Sequence, residues 1–132
     1  MSLSLEELTN AAESLKTSQR LLSETIKNQP QNIDLQKALR DSCIQRFEFC
    51  IELSWKISMK LLGLDTKAPN SAIREMAQNK LIADAKLWLD FIVARNKTSH
   101  SYDEDVAKVV YSEIIRFIPE LESLIQNLKN IR

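Results

Sequence analysis

Cys43-Ile44-Gln45-Arg46-Phe47-Glu48-Phe49-Cys50-Ile51-Glu52-Leu53-Ser54-Trp55-Lys56-Ile57-Ser58-Met59-Lys60-Leu61-Leu62-Gly63 decides the fold. Wound at about 100° per residue, it puts Cys43, Phe47, Cys50, Ser54, Ile57 and Leu61 on one inward arc, flanked by Ile51 and Ser58. The opposite side carries Glu48, Glu52, Lys56 and Lys60, with Glu52 and Lys56 spaced as a favourable i,i+4 pair. Ser54 and Ser58 are small enough for another helix to approach closely. Gly63 is well placed to end the helix in the left-handed conformation. Phe49 falls inside the charged stripe, which suggests a subunit or partner contact there.

The same helical period extends in both directions, and no alternating run makes a convincing strand. Upstream, a first helix is expected from Leu5 to Asn28, with Leu5, Leu8, Ala11, Ala12, Leu15, Leu22 and Ile26 on its apolar stripe. Asn28-Gln29-Pro30-Gln31-Asn32 breaks it, and the second helix then runs from Ile33 to Leu62. A short third helix is expected from Ser71 to Asn79, with Ser71 and Glu75 near capping-box spacing. Asp84 is a natural N-cap for a fourth, which carries Leu87, Trp88, Phe91, Ile92 and Arg95. The fifth follows Asp103-Glu104-Asp105, whose charges suit a helix N-terminus, and Pro119 should bend it. Four long amphipathic helices with short connections imply an all-α, up-and-down four-helix bundle with an additional short helix.

Composition bounds the rest. A chain of 132 residues with 44% apolar and 27% charged side chains reads as one domain, 1–132, with a single core. One glycine and three prolines agree with long helices and few turns. No segment resembles a membrane span or a secretory leader. Cys43 and Cys50 lie seven residues apart, roughly 10 Å along a helix, too far for a disulfide. Core thiols in a reducing cytoplasm are the expectation. With a single histidine and two cysteines, neither a structural zinc site nor a cofactor is expected. Eighteen basic and eighteen acidic side chains cancel, so any RNA contact must rest on a local patch.

Chemistry concentrates in Arg95-Asn96-Lys97-Thr98-Ser99-His100-Ser101-Tyr102, which holds the only histidine. On a continuous helix Arg95 and His100 point about 140° apart, so they converge only if the helix ends between them. His100 and Tyr102 share a side if the segment is extended. A fixed cation, an imidazole and a phenol in one pocket suit phosphoryl transfer without a metal. In RNA cleavage by its own 2′-hydroxyl, histidine moves a proton while arginine clamps the phosphate. One histidine is too few for separate acid and base roles, so a two-fold homodimer is expected to supply the second. The plainer alternative is a helical adaptor, with Arg95 paired to a carboxylate such as Asp103 or Glu48.

Four blocks in order resemble a known family: Arg40-Asp41-Ser42-Cys43-Ile44-Gln45-Arg46-Phe47-Glu48, Glu52-Leu53-Ser54-Trp55-Lys56, Asp84-Ala85-Lys86-Leu87-Trp88, and Arg95 through Glu104. They are similar to the nucleotidyltransferase substrate-binding proteins, the HepT-like branch of the HEPN superfamily. The resemblance implies a dimerising helical bundle encoded beside a minimal nucleotidyltransferase. It further implies a metal-independent endoribonuclease toxin whose partner, as antitoxin, adds AMP to the motif tyrosine. Carried over residue by residue, Arg95 clamps phosphate, His100 transfers the proton and Tyr102 accepts AMP. Asn96 fits the polar position after the arginine. The competing expectation is a non-catalytic subunit that binds nucleotide or substrate for the transferase. Overall neutrality and the acidic run after Tyr102 favour that subunit, and the complete motif favours the enzyme.

Overall fold

Ser4 starts the first helix by accepting the Glu7 N–H at 3.2 Å. From there the chain, seen in a computed structural model that describes residues 4–131, is helical almost throughout. The helices are α1 (Leu5–Asn28), α2 (Ile33–Leu62), α3 (Pro69–Gln78), α4 (Ala85–Lys97) and α5 (Glu104–Lys129), with a 3₁₀ turn at Thr98–His100. Among the described residues there is no strand, and the architecture is the expected all-α, up-and-down bundle with one additional short helix. No helix there is long and apolar enough to cross a membrane.

The expected stops hold for local reasons. Asn32 caps α2, and Gly63 closes it in the left-handed region at φ 72°, where a Cβ would be strained. Asp84 accepts the Leu87 N–H, filling an orphan donor of the first turn of α4, and Asp103 does the same for Asp105 and Val106, so α5 opens at Glu104, earlier than the expected start after Asp105. The third helix differs from expectation. It opens two residues earlier, with Pro69 in the first turn and no side-chain cap from Ala68 or Ser71. Proline's fixed φ already suits that position, so the capping-box pairing is not needed.

α2 is the central element and packs against all four other helices. Cys43, Phe47, Cys50, Ser54 and Ile57 are fully buried, as the inward arc required. Trp55, Leu53 and Met59 are buried as well, because a central helix is covered on more than one side. The Ser54 and Ser58 hydroxyls donate back to the Cys50 and Ser54 carbonyls at 2.6 Å, so burying them leaves no orphan group. Phe117 sits edge-on to Phe47, Trp88 and Phe91, with centroids 5.1, 5.5 and 5.2 Å apart, locking α5 to α2 and α4.

Two stripe positions depart from the helical wheel. Leu61 and Ile26 are 38% and 48% exposed. Both lie within two residues of a helix end, and Ile26 there borders a groove between α1, α2 and α5. Between Thr25 and Cys43 no residue is buried, so the α1–α2 hairpin overhangs the core. Pro119 stands exposed within a continuous α5. Phe49 is 56% exposed, beside a cleft that includes Arg46, Ser42 and Glu7.

Candidate functional site

The apolar residues Trp88, Phe91 and Ile92 fix the rotation of α4, and Arg95 follows at the edge of that buried face. Its side chain is about one-third exposed, and Nε lies 3.2 Å from Oε1 of Glu52 on α2. The approach is ionic and not aligned as a hydrogen bond, which leaves Nε buried without an acceptor. Glu52 also holds Lys56 at 3.3 Å. A carboxylate therefore does pair Arg95, but it is Glu52, neither Asp103 nor Glu48.

α4 does not break sharply after Arg95. It ends at Lys97 and tightens into the 3₁₀ turn, where the Thr98 hydroxyl donates to the Arg95 carbonyl at 2.7 Å. Ser101 keeps helical dihedrals, and the Asp103 N–H closes onto the His100 carbonyl. The segment is a turn and not extended, so the condition under which the sequence would put His100 and Tyr102 on one side is not met. His100 and Tyr102 nevertheless meet, their rings edge-on with centroids 6.0 Å apart. Both are exposed, and Tyr102 is 85% so.

The two rings border a cavity of about 430 Å³ shared with Lys97, Asp103, Asp105, Val106 and Val109. Arg95 and Asn96 do not line it, and Asn96 is exposed. Within one chain the structure thus brings His100 and Tyr102 together, with Arg95 held separately against α2. The cation that shares the cavity is Lys97, which the motif alone does not single out, although it stands inside it. Nor does the sequence mark Glu52 as a site residue, because its i,i+4 spacing to Lys56 already accounts for it.

Chemically the turn offers an imidazole able to carry a proton, a solvent-facing phenol able to act as a nucleophile, and an ammonium able to meet an anion. The Asp103 carboxylate is turned toward the α5 N–H groups, which draws part of its charge away from the cavity. Among the described residues no cluster of three or more His, Cys, Asp or Glu side chains could hold a metal ion.

Residues 4–130 match the family described as nucleotidyltransferase substrate binding protein like. A Haemophilus influenzae protein named probable ribonuclease HepT is 33% identical over 103 residues, 72% of this chain and 70% of that protein. A Haemophilus influenzae structure described as the fold of a substrate binding domain of a nucleotidyltransferase superposes with a TM-score of 0.86 at 30% identity. It covers 96% of this chain and 100% of its own. A Thermus thermophilus crystal structure gives a TM-score of 0.72 at 27% identity, over 91% of this chain and 99% of the other.

Proposed function

The chain belongs to the nucleotidyltransferase substrate-binding protein family, and from that premise we propose that it is a HepT-like endoribonuclease toxin acting without a metal. It works as a single HEPN-like domain in the cytoplasm, as a homodimer, and is neutralised by AMP transfer to Tyr102 from a minimal nucleotidyltransferase. The observation that carries this reading is the pairing of His100 and Tyr102 across 6.0 Å at the rim of one cavity. A nucleotide attached to so exposed a tyrosine covers the histidine beside it and brings a negative charge to the same rim. The likeness to a protein named as a probable ribonuclease supports the same reading.

In the cleavage step the RNA 2′-hydroxyl attacks the adjacent phosphorus. The bond to O5′ breaks, leaving a 2′,3′-cyclic phosphate and a 5′-hydroxyl. One His100 accepts the 2′-hydroxyl proton, and the other copy's His100 donates one to O5′. Arg95, kept in place by Glu52, offsets the charge that builds on the phosphate oxygens. In the silencing step the Tyr102 hydroxyl oxygen attacks the α-phosphorus of ATP on the transferase. The bond to the β-phosphate oxygen breaks, pyrophosphate leaves, and the phenol proton passes to a base of the transferase.

One observation favours a second reading. Asp103 and Asp105 border the same cavity and repel phosphates, as suits a subunit that only presents substrate to the transferase. Partner-free protein incubated with labelled RNA in excess EDTA separates the two, beside His100→Ala. Cleavage by the wild type, lost in a folded variant, supports the enzyme. Inactivity of a wild type shown by mass spectrometry to carry no AMP leaves the substrate-binding subunit.

A further inference from the structure

The overhanging α1–α2 hairpin creates a second groove, separate from the His100 cavity. It holds about 320 Å³ and runs between the end of α1, the start of α2 and the first turns of α5. Its floor is apolar: Leu22 is buried, and Ile26 and Ile33 are about half exposed to it and to solvent. Tyr111, whose hydroxyl oxygen accepts from Gln19 Nε2 at 3.4 Å, also borders it. Its charged rim is Lys37, Arg40, Lys108 and Glu104.

The charges do not cancel. Arg40 grips Glu104 with both terminal nitrogens, at 2.6 and 3.0 Å, and its side chain is only 15% exposed. That pair is a fixed strut between α2 and α5. Lys37 is 4.0 Å from the same carboxylate, and Lys108 lies one turn further along α5. Three cations and one carboxylate thus line the groove, in a chain whose total charge is zero, while Asp41, outside the lining, also acts on Arg40.

We propose that this groove binds a nucleotide unit, with its phosphate between Lys37 and Lys108 and its base on the apolar floor beside Tyr111. A cationic groove with an aromatic ring for a base to stack on is how proteins hold single-stranded nucleic acid without reading sequence, and Tyr111 is the aromatic ring that lines this one. The volume lies at the small end of ligand sites, in keeping with one nucleotide and no more. The unit comes either from an RNA strand or from a free mononucleotide, and the two share this chemistry. Glu104 stands only two residues after Tyr102, so a strand engaged at the groove lies next to the motif turn. The RNA form rests on the ribonuclease reading, whereas the mononucleotide form stands without it.

The test uses His100→Ala protein, so that no cleavage disturbs binding, with a short fluorescein-labelled single-stranded RNA followed by anisotropy across a salt series. Lys37→Gln with Lys108→Gln is compared with Lys86→Gln and Lys129→Gln, two lysines that do not line the groove, and circular dichroism verifies each fold. The groove pair is expected to weaken binding about tenfold and to flatten the salt slope by about 0.7 for each phosphate no longer neutralised. AMP that displaces the RNA from the control pair supports the mononucleotide form. Displacement by unlabelled RNA alone supports the strand form. Equal RNA affinities and slopes in both pairs, with AMP raising the melting temperature of both equally or of neither, overturn the proposal. Because cleavage by the His100-intact protein is scored separately, loss of the ribonuclease reading and loss of the groove remain distinguishable.

Discussion

Oε1 of Glu52 lies 3.2 Å from Nε of Arg95, joining the middle of α2 to the last turn of α4. Each side chain is about one-third exposed, so the pair adds little to stability, under about 1 kcal/mol. Its effect is on position. A guanidinium tethered through Nε keeps its terminal nitrogens free to fork onto a phosphate. Under the proposed ribonuclease function, Glu52→Gln is expected to leave the urea midpoint nearly unchanged while slowing RNA cleavage by about ten- to a hundredfold, the scale of a small misplacement at a reacting centre. An unchanged cleavage rate would show that Arg95 needs no such tether.

In the core, Phe117 is fully buried and edge-on to three aromatic rings. Phe117→Ala removes the aromatic contacts by which α5 meets both α2 and α4. A loss of about 3–5 kcal/mol is expected from urea unfolding. A loss below about 1 kcal/mol would mean that the neighbouring rings collapse into the space.

Cys43 and Cys50 are free and buried, and burial pushes their thiols up to about 11 and about 12. The thiolate is the reactive form, so native protein at neutral pH should resist alkylation. Mass spectrometry after iodoacetamide is expected to find neither cysteine modified in buffer and both modified in urea. Rapid labelling of the native chain would point to an opening of α2.

Much of this architecture is legible in the sequence because its signals are local. Gly63 and Asp84 act within one turn of themselves, so the bounds they set hold, whereas α5 opens at Glu104, inside the acidic run it was expected to follow, because Asp103 caps it. Pro69 overrides Ser71 because proline's dihedral already fits the first turn. Ile26 and Leu61 fall inward on a helical wheel because the wheel treats every turn as equally covered. Only the packed structure shows which helix ends overrun the core. Of the site, the motif and the closeness of His100 to Tyr102 are legible, though they meet by a turn and not by extension. The Glu52–Arg95 pair joins residues far apart in sequence, and the local Lys56 spacing conceals it.

Beside the motif, the Arg40 guanidinium, bonded twice to Glu104, holds that carboxyl down to about 2. A carboxyl depressed by folding contributes its stability in full above the ordinary value of 4.5 and loses it as the pH falls toward about 2. Wild-type protein should therefore lose part of its resistance to urea across that acid window. Glu104→Gln cannot titrate, so it should start lower at neutral pH and change less across the window, with the two curves converging at its acid end. Parallel curves would mean that the pair contributes nothing the fold depends on. A lowered midpoint at neutral pH with any RNA cleavage intact would separate the strut's hold on α5 from the chemistry proposed at His100.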